Sequence, residues 1–229
     1  MSEPMEPAIA RDPAAASRDL AASSPDPQWW SGHRISAEYR AFVDDEAGAS
    51  RIAVYHALCV PGILQTAAYA RAATAAIVRK DPADPYVEAR VALRLRRQQD
   101  LQARAAGAEP TELVAILDEA VLRRPVGGAA VLREQLDRLL DLAGQSWIKL
   151  VIVPLALDGH PGLGGSFELL SFPGARRPDL LFVESGIVDF VITEPTVTAT
   201  YRETIAALTE TGLTGAAAAD LITRLRAEA

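Results

Sequence analysis

A single cysteine, Cys59, stands among the 229 residues, so an intrachain disulfide and a thiolate metal cluster are both excluded. A lone thiol fits a reducing compartment, and a cytoplasmic location is expected. Aromatic residues make up only 6% of the chain, so its core must be built chiefly from aliphatic side chains. Basic residues are outnumbered, 23 Lys and Arg against 30 Asp and Glu. The resulting net charge of −7 excludes a whole-chain attraction to nucleic acid or to an anionic membrane. No apolar run approaches the length of a membrane span, and no basic start followed by an apolar stretch marks a secretory signal. The three histidines show no metal-ligand spacing. The glycine-rich stretch DGHPGLGG at 158–165 lacks the lysine and hydroxyl residue of a phosphate-binding loop, and it precedes a strand. Neither a metal nor a cofactor is expected.

What is present is a hydrophobic fraction of 49%, enough for a sizeable core. Residues 1–27 hold little but Ala, Pro, Ser and Asp and are read as a disordered tail, leaving 28–229 as a single domain. Trp29, Trp30, Ile35, Tyr39, Phe42 and Val43 give the segment 27–47 a helical apolar side that Gly48 ends. Alternating β-formers predict a strand over 51–60, broken by Pro61-Gly62. Helices are expected over 63–78 and 85–106, the second capped by Asp84 with Pro85 at its first position. Strands follow at 112–118 and 147–153, with a helix between them from Gly128 to Leu142. Three shorter strands near 166–171, 180–184 and 187–193 precede helices opened by Pro195 and Thr214. Strands and helices do not alternate strictly. The expected fold is therefore α+β: a mixed sheet of about five or six strands packed with helices and ending in a helical hairpin.

Candidate chemistry lies first on the helix from Pro85. At a hundred degrees per residue, Val87, Val91, Leu95, Leu101 and Ala105 share a stripe that also holds Arg94 and Gln98, while Arg96 lies opposite. The preceding helix repeats this with Leu64, Ala68, Ala75, Val78 and Arg71. An inward arginine keeps its charge and must find an acceptor. Two readings stay open: pairing with a core carboxylate such as Asp118, Glu119, Glu168 or Glu184, or a cationic pocket for a carboxylate or phosphate ligand. Such a pocket would draw on Arg71, Arg94, Gln98, Gln65, Glu119 and His160. On the strand at 51–60, His56 points with Ile52, Val54, Leu58 and Val60, and Tyr55 and Cys59 point the other way. If the protein is an enzyme, His56, Tyr55 or a carboxylate is the candidate for proton transfer; otherwise His56 is a hydrogen-bonded structural histidine. Cys59 reads as a small core residue, and the loop around His160 as a flap. The segment 205–228 has a helix–turn–helix look, but Ala216 to Asp220 stand where base-contacting residues would be wanted. Its apolar side, with Leu213, Leu221, Ile222 and Leu225, is read as a homodimer or partner surface.

Several strings occur together in a recognisable order: VPGILQTAAYARA at 60–72, RLRRQQDL at 94–101, LDEAVLRRPVGG at 117–128, EQLDRLLDLA at 134–143, VIVP at 151–154 and GHPGLGGSFELL at 159–170. They resemble an actinobacterial family with a "PGLLQT…YARA" motif, the C-terminal domain of unknown function carried by XRE-type helix-turn-helix regulators, some antitoxin-like. The resemblance spans roughly residues 30–229. The DNA-binding half of that architecture has no counterpart before Trp29, so the resemblance implies a stand-alone sensor or partner-binding half. Its partner would be a small anionic or polar ligand or a small acidic protein, with no direct contact to nucleic acid. The family motif carries an acidic residue where this chain has His56. That difference admits an alternative: a cofactor-independent cyclase, isomerase or lyase of secondary metabolism.

Overall fold

The computed structural model describes residues 37–175, 177–184 and 189–229. The expected tail, with Trp29, Trp30 and Ile35, lies outside them. Within them the chain is α+β, with seven α-helices and one seven-stranded mixed sheet among the described residues. Helix α1 (Ala37–Ala47) leads through a Gly48 turn into β1 (Arg51–His56). Helices α2 (Ala67–Val78) and α3 (Pro85–Ala105) cross over to β2 (Glu112–Asp118). Helices α4 (Glu119–Arg123) and α5 (Ala129–Ala143) cross over to β3 (Ile148–Val153). Strands β4 (Phe167–Ser171), β5 (Leu180–Glu184) and β6 (Asp189–Ile192) follow, then α6 (Pro195–Thr211), β7 (Leu213–Thr214) and α7 (Gly215–Glu228).

The strand order is β6-β5-β4-β1-β2-β3-β7. Strands β1, β2 and β3 run parallel, and all other pairings are antiparallel. The strand beyond the expected number is β7, two residues that pair with Val151 and Ile152 of β3. So short a segment carries no alternation that a sequence could display.

Because the sheet is covered on both sides, β1 is buried on both faces, and its pattern reads as continuous apolar residues. One face carries Ile52, Val54, Leu113, Ala115, Leu117, Leu150 and Ile152 beneath α1, α2, α3, α5 and α7. The other carries Ala53, Tyr55, Val114, Ile116, Val151 and Val153 beneath α6, whose Ile205 and Leu208 are buried there. The two terminal helices thus lie on opposite faces of the sheet, joined across its edge by β7. Leu221, Ile222 and Leu225, expected to form a dimer surface, are buried in the first core.

Two segments depart from the expected boundaries for local reasons. The strand predicted over 51–60 stops at His56, and Leu58 is exposed. There the backbone leaves the sheet, with Ala57 N–H donating to Ser166 Oγ (3.2 Å) and Val60 N–H to the Tyr69 hydroxyl (3.2 Å). The helix predicted over 63–78 is split. Gly62–Leu64 forms a 3-10 turn, Gln65 is extended, and Thr66 restarts the helix by accepting from Tyr69 N–H (3.2 Å). The cap on α3 forms as expected, with Asp84 accepting from Tyr86 N–H (2.8 Å) and Pro85 in the first turn. No helix among the described residues is long and apolar enough to cross a membrane.

Candidate functional site

The arginine stripe is the first correction. Helix α3 has two packing sides: Val87, Val91 and Leu95 meet α2, whereas Leu93 and Leu101 face the sheet core. Between Leu93 and Leu101, at the four-residue helical repeat, sits Arg97, only 5% exposed. Arg71, expected inside, is on the surface, where it grips Glu88 of α3 through two bonds (2.5 and 3.1 Å). Arg94 is half-buried. It donates to the Thr74 hydroxyl and packs over the turn so closely that a Cβ at Gly62 would lie 3.1 Å from its Nε. Burial depresses its pKa, and it makes no ion pair among the described residues. Arg96, expected on the surface, pairs there with Asp100. Arg71 and Arg94 hold different partners, Glu88 and Thr74.

The motif segment at 60–66 proves to be a hydrogen-bonded clamp. Gln65, expected as a ligand contact, is buried and donates to the Val60 carbonyl (2.7 Å). Gln98 donates to the carbonyls of Gly62 (3.0 Å) and Gln65 (2.9 Å). Gln135 of α5, which the sequence reading missed, accepts from Thr66 N–H (2.7 Å) and donates to the Leu64 carbonyl (3.0 Å). A turn wedged between helices has backbone groups that neither strand nor helix satisfies, and these amides supply the partners.

Titratable groups gather at the carboxyl end of β1, where consecutive side chains enter opposite faces of the sheet. On the α3 side, His56 Nε2 stands 3.7 Å from Glu168 Oε1 of β4. Glu168 Oε2 lies 3.6 Å from Arg97, which holds Glu46 with two bonds (2.8 and 2.7 Å) and donates to the Tyr39 hydroxyl (2.6 Å). Burial alone would depress the His56 pKa, but interaction with Cys59 and Glu168 raises it to about 9. Burial likewise opposes the charge on Glu168, yet His56 and Arg97 bring its pKa below the usual carboxylate range. The result is a buried, charge-balanced set of two cations and two carboxylates.

On the α6 side, Tyr55 is fully buried, and its hydroxyl has no hydrogen-bond partner among the described residues. Burial, and then the charge of Asp118, push its pKa to about 12. His160 meets the Tyr55 ring edge-on at 6.2 Å and stands 3.8 Å from Asp118, with its Nδ1 buried and without a partner among the described residues. The 3-10 turn Pro161–Gly164 lies over this pair, Gly162 against the Tyr55 ring. Glu119, also expected as a contact, is held by Arg123 (2.6 Å) and by Leu155 N–H (2.9 Å), which ties α4 to the loop after β3. Tyr55 and His160 thus meet at one end of the sheet, Gln65 and Gln98 meet in the clamp, and Glu119, Arg71 and Arg94 each hold partners of their own. Among the described residues no cluster of three or more His, Cys, Asp or Glu could hold a metal ion.

The model of a family described as a domain of unknown function, DUF5753, matches residues 39–224. No curated protein and no solved structure matches the chain.

Proposed function

We propose, from the premise that this chain belongs to the DUF5753 family, that the domain is a regulatory binding module whose partner is another protein. The partner docks at the carboxyl end of the parallel strands. The observation that carries this reading is the distribution of exposed apolar side chains. Leu58, Leu155 and Leu163 are 70, 57 and 75% exposed, and all three stand on loops that leave or cover that end. Single exposed leucines are ordinary, but three on loops at one end of a sheet offer apolar surface of the kind protein partners cover. The loops are firmly based. Leu155 N–H is bound by Glu119, and the turn bearing Leu163 is seated on Tyr55 through Gly162. A rigid base spares a partner the cost of ordering the loops.

An enzymatic role draws less support. A general acid or base must reach the proton it moves. His56 is instead engaged by Glu168 inside the balanced cluster with Arg97 and Glu46. The resemblance to the C-terminal halves of helix-turn-helix regulators fits the same reading, with the domain as the half that senses a partner.

The test is site-specific photocrosslinking in the host cytoplasm. A photoreactive residue is placed at Leu58, Leu155 or Leu163, and at Ile77, an equally exposed side chain on α2, as the control. One protein should crosslink from the three leucine positions and not from Ile77. Leu163→Asp should then weaken that complex roughly tenfold with an unchanged urea midpoint. Equal capture from Ile77, or full affinity in the aspartate variant, overturns the reading.

A further inference from the structure

At the opposite end of the strands, a groove of about 420 Å³ opens between α6 and the sheet. Three cationic side chains from three elements border it: Arg51 opens β1, Lys149 is the second residue of β3, and Arg202 comes from α6. Strand alternation explains the meeting. Arg51 shares a face with Ala53 and Tyr55, and Lys149 with Val151 and Val153, which is the face α6 covers. Along α6, Arg202, Ile205, Ala206 and Thr209 recur at helical spacing, so one stripe supplies a cation, an apolar floor and a hydroxyl.

The cations are only partly engaged. Arg51 donates to Glu112 through Nε (3.2 Å), and Arg202 to Asp179 through Nε (2.7 Å). The terminal amino groups of both guanidiniums, and the Lys149 ammonium, hold no described residue. Glu210 closes the far end of the groove. Glu112, Asp179 and Glu210 together match the three positive charges, so there is no excess charge to attract a doubly charged group. What remains is a set of charge-assisted donors above an aliphatic floor. We infer that this groove is a binding site for a small amphiphilic monoanion, a carboxylate whose short apolar tail lies on Ala206, above the buried Ile205, while Arg51, Lys149 and Arg202 hold the carboxylate oxygens. Guanidinium donors suit the two parallel acceptors of a carboxylate, and the apolar floor contributes by area. This site is independent of the partner surface, which lies at the other end of the sheet.

The experiment titrates the full chain with 4-methylpentanoate, inorganic phosphate and 4-methylpentanol, followed by NMR shifts of backbone amides along α6. Saturable shifts at Ile205, Ala206 and Thr209 are expected with 4-methylpentanoate alone. Lys149→Glu should weaken that binding roughly tenfold, the loss of one charge-assisted contact. Ala206→Trp, at an exposed position, should block it by filling the groove while leaving the urea midpoint unchanged. Absence of saturable binding overturns the inference. So does phosphate binding as tightly as 4-methylpentanoate, or carboxylate binding that survives in Ala206→Trp, since either would mean attraction to surface charge only.

Discussion

Arg97 and Glu46 face each other across the contact between α3 and α1, joined by bonds of 2.8 and 2.7 Å and both almost fully buried. Each removes the penalty for burying the other, and Tyr39 and Glu168 complete the surroundings of the guanidinium. Arg97→Met strands the Glu46 carboxylate in the core and leaves Glu168 to His56 alone. It should lower the unfolding free energy by about 3–5 kcal/mol, read from urea melts. Arg71→Ala breaks only a surface pair with Glu88 and should leave the urea midpoint where it is. Equal losses in the two variants would contradict this division between core and surface arginines.

Two buried tyrosines should respond oppositely to loss of the hydroxyl. The Tyr69 hydroxyl accepts from Val60 N–H, so Tyr69→Phe leaves a buried donor unsatisfied and should cost about 1–3 kcal/mol. The Tyr55 hydroxyl has no partner among the described residues, so Tyr55→Phe should be neutral or stabilising. Differential scanning calorimetry of the two variants makes the comparison. A large loss in Tyr55→Phe would mean that its hydroxyl is bonded in solution.

The buried histidine gives stability an alkaline limit. The folded pKa of His56, about 9, lies above its unfolded value of about 6.5. Its contribution is therefore complete below about pH 6.5 and is lost as the pH rises through about 9. The size is roughly 3 kcal/mol, since each pKa unit corresponds to about 1.4 kcal/mol. Glu168 acts in the other direction, because its lowered pKa contributes stability that is lost as the pH falls through the acid range. Urea midpoints between pH 6 and pH 10 should fall in the native chain, and much less in His56→Gln.

Gly162 is held to a single size by contact. A Cβ there would lie 2.5 Å from the Tyr55 ring carbon Cζ and 2.7 Å from its oxygen. Gly162→Ala must lift the turn that carries Leu163, at a cost of about 1–3 kcal/mol. Faster amide exchange over residues 160–165, with exchange in β2 unchanged, is the expected signature.

Local patterns foretold much of this architecture. Asp84-Pro85 marked the start of α3, and the runs at 112–118 and 147–153 marked two of the parallel strands. These features depend on neighbours along the chain, where periodicity and capping act. Arg97 was not legible, because α3 packs on α2 along one side and on the sheet core along another. A single stripe on the helix picked Arg94 and Gln98 instead. Glu46, two residues before a helix-ending glycine, looks like an ordinary surface residue until Arg97 is brought to it from 51 positions away.

The amino-acid order alone determined the six longer strands and most of the helices, and that β1 would carry His56 and Tyr55 on opposite sides, because backbone geometry within an element sets those relations. Only the tertiary structure decided that the motif amides clamp a turn, that Arg71 faces solvent while Arg97 does not, and that three leucines from separate loops share one end of the sheet. Each of these depends on which distant segment supplies the acceptor or the apolar surface, and that partner is chosen by packing between elements.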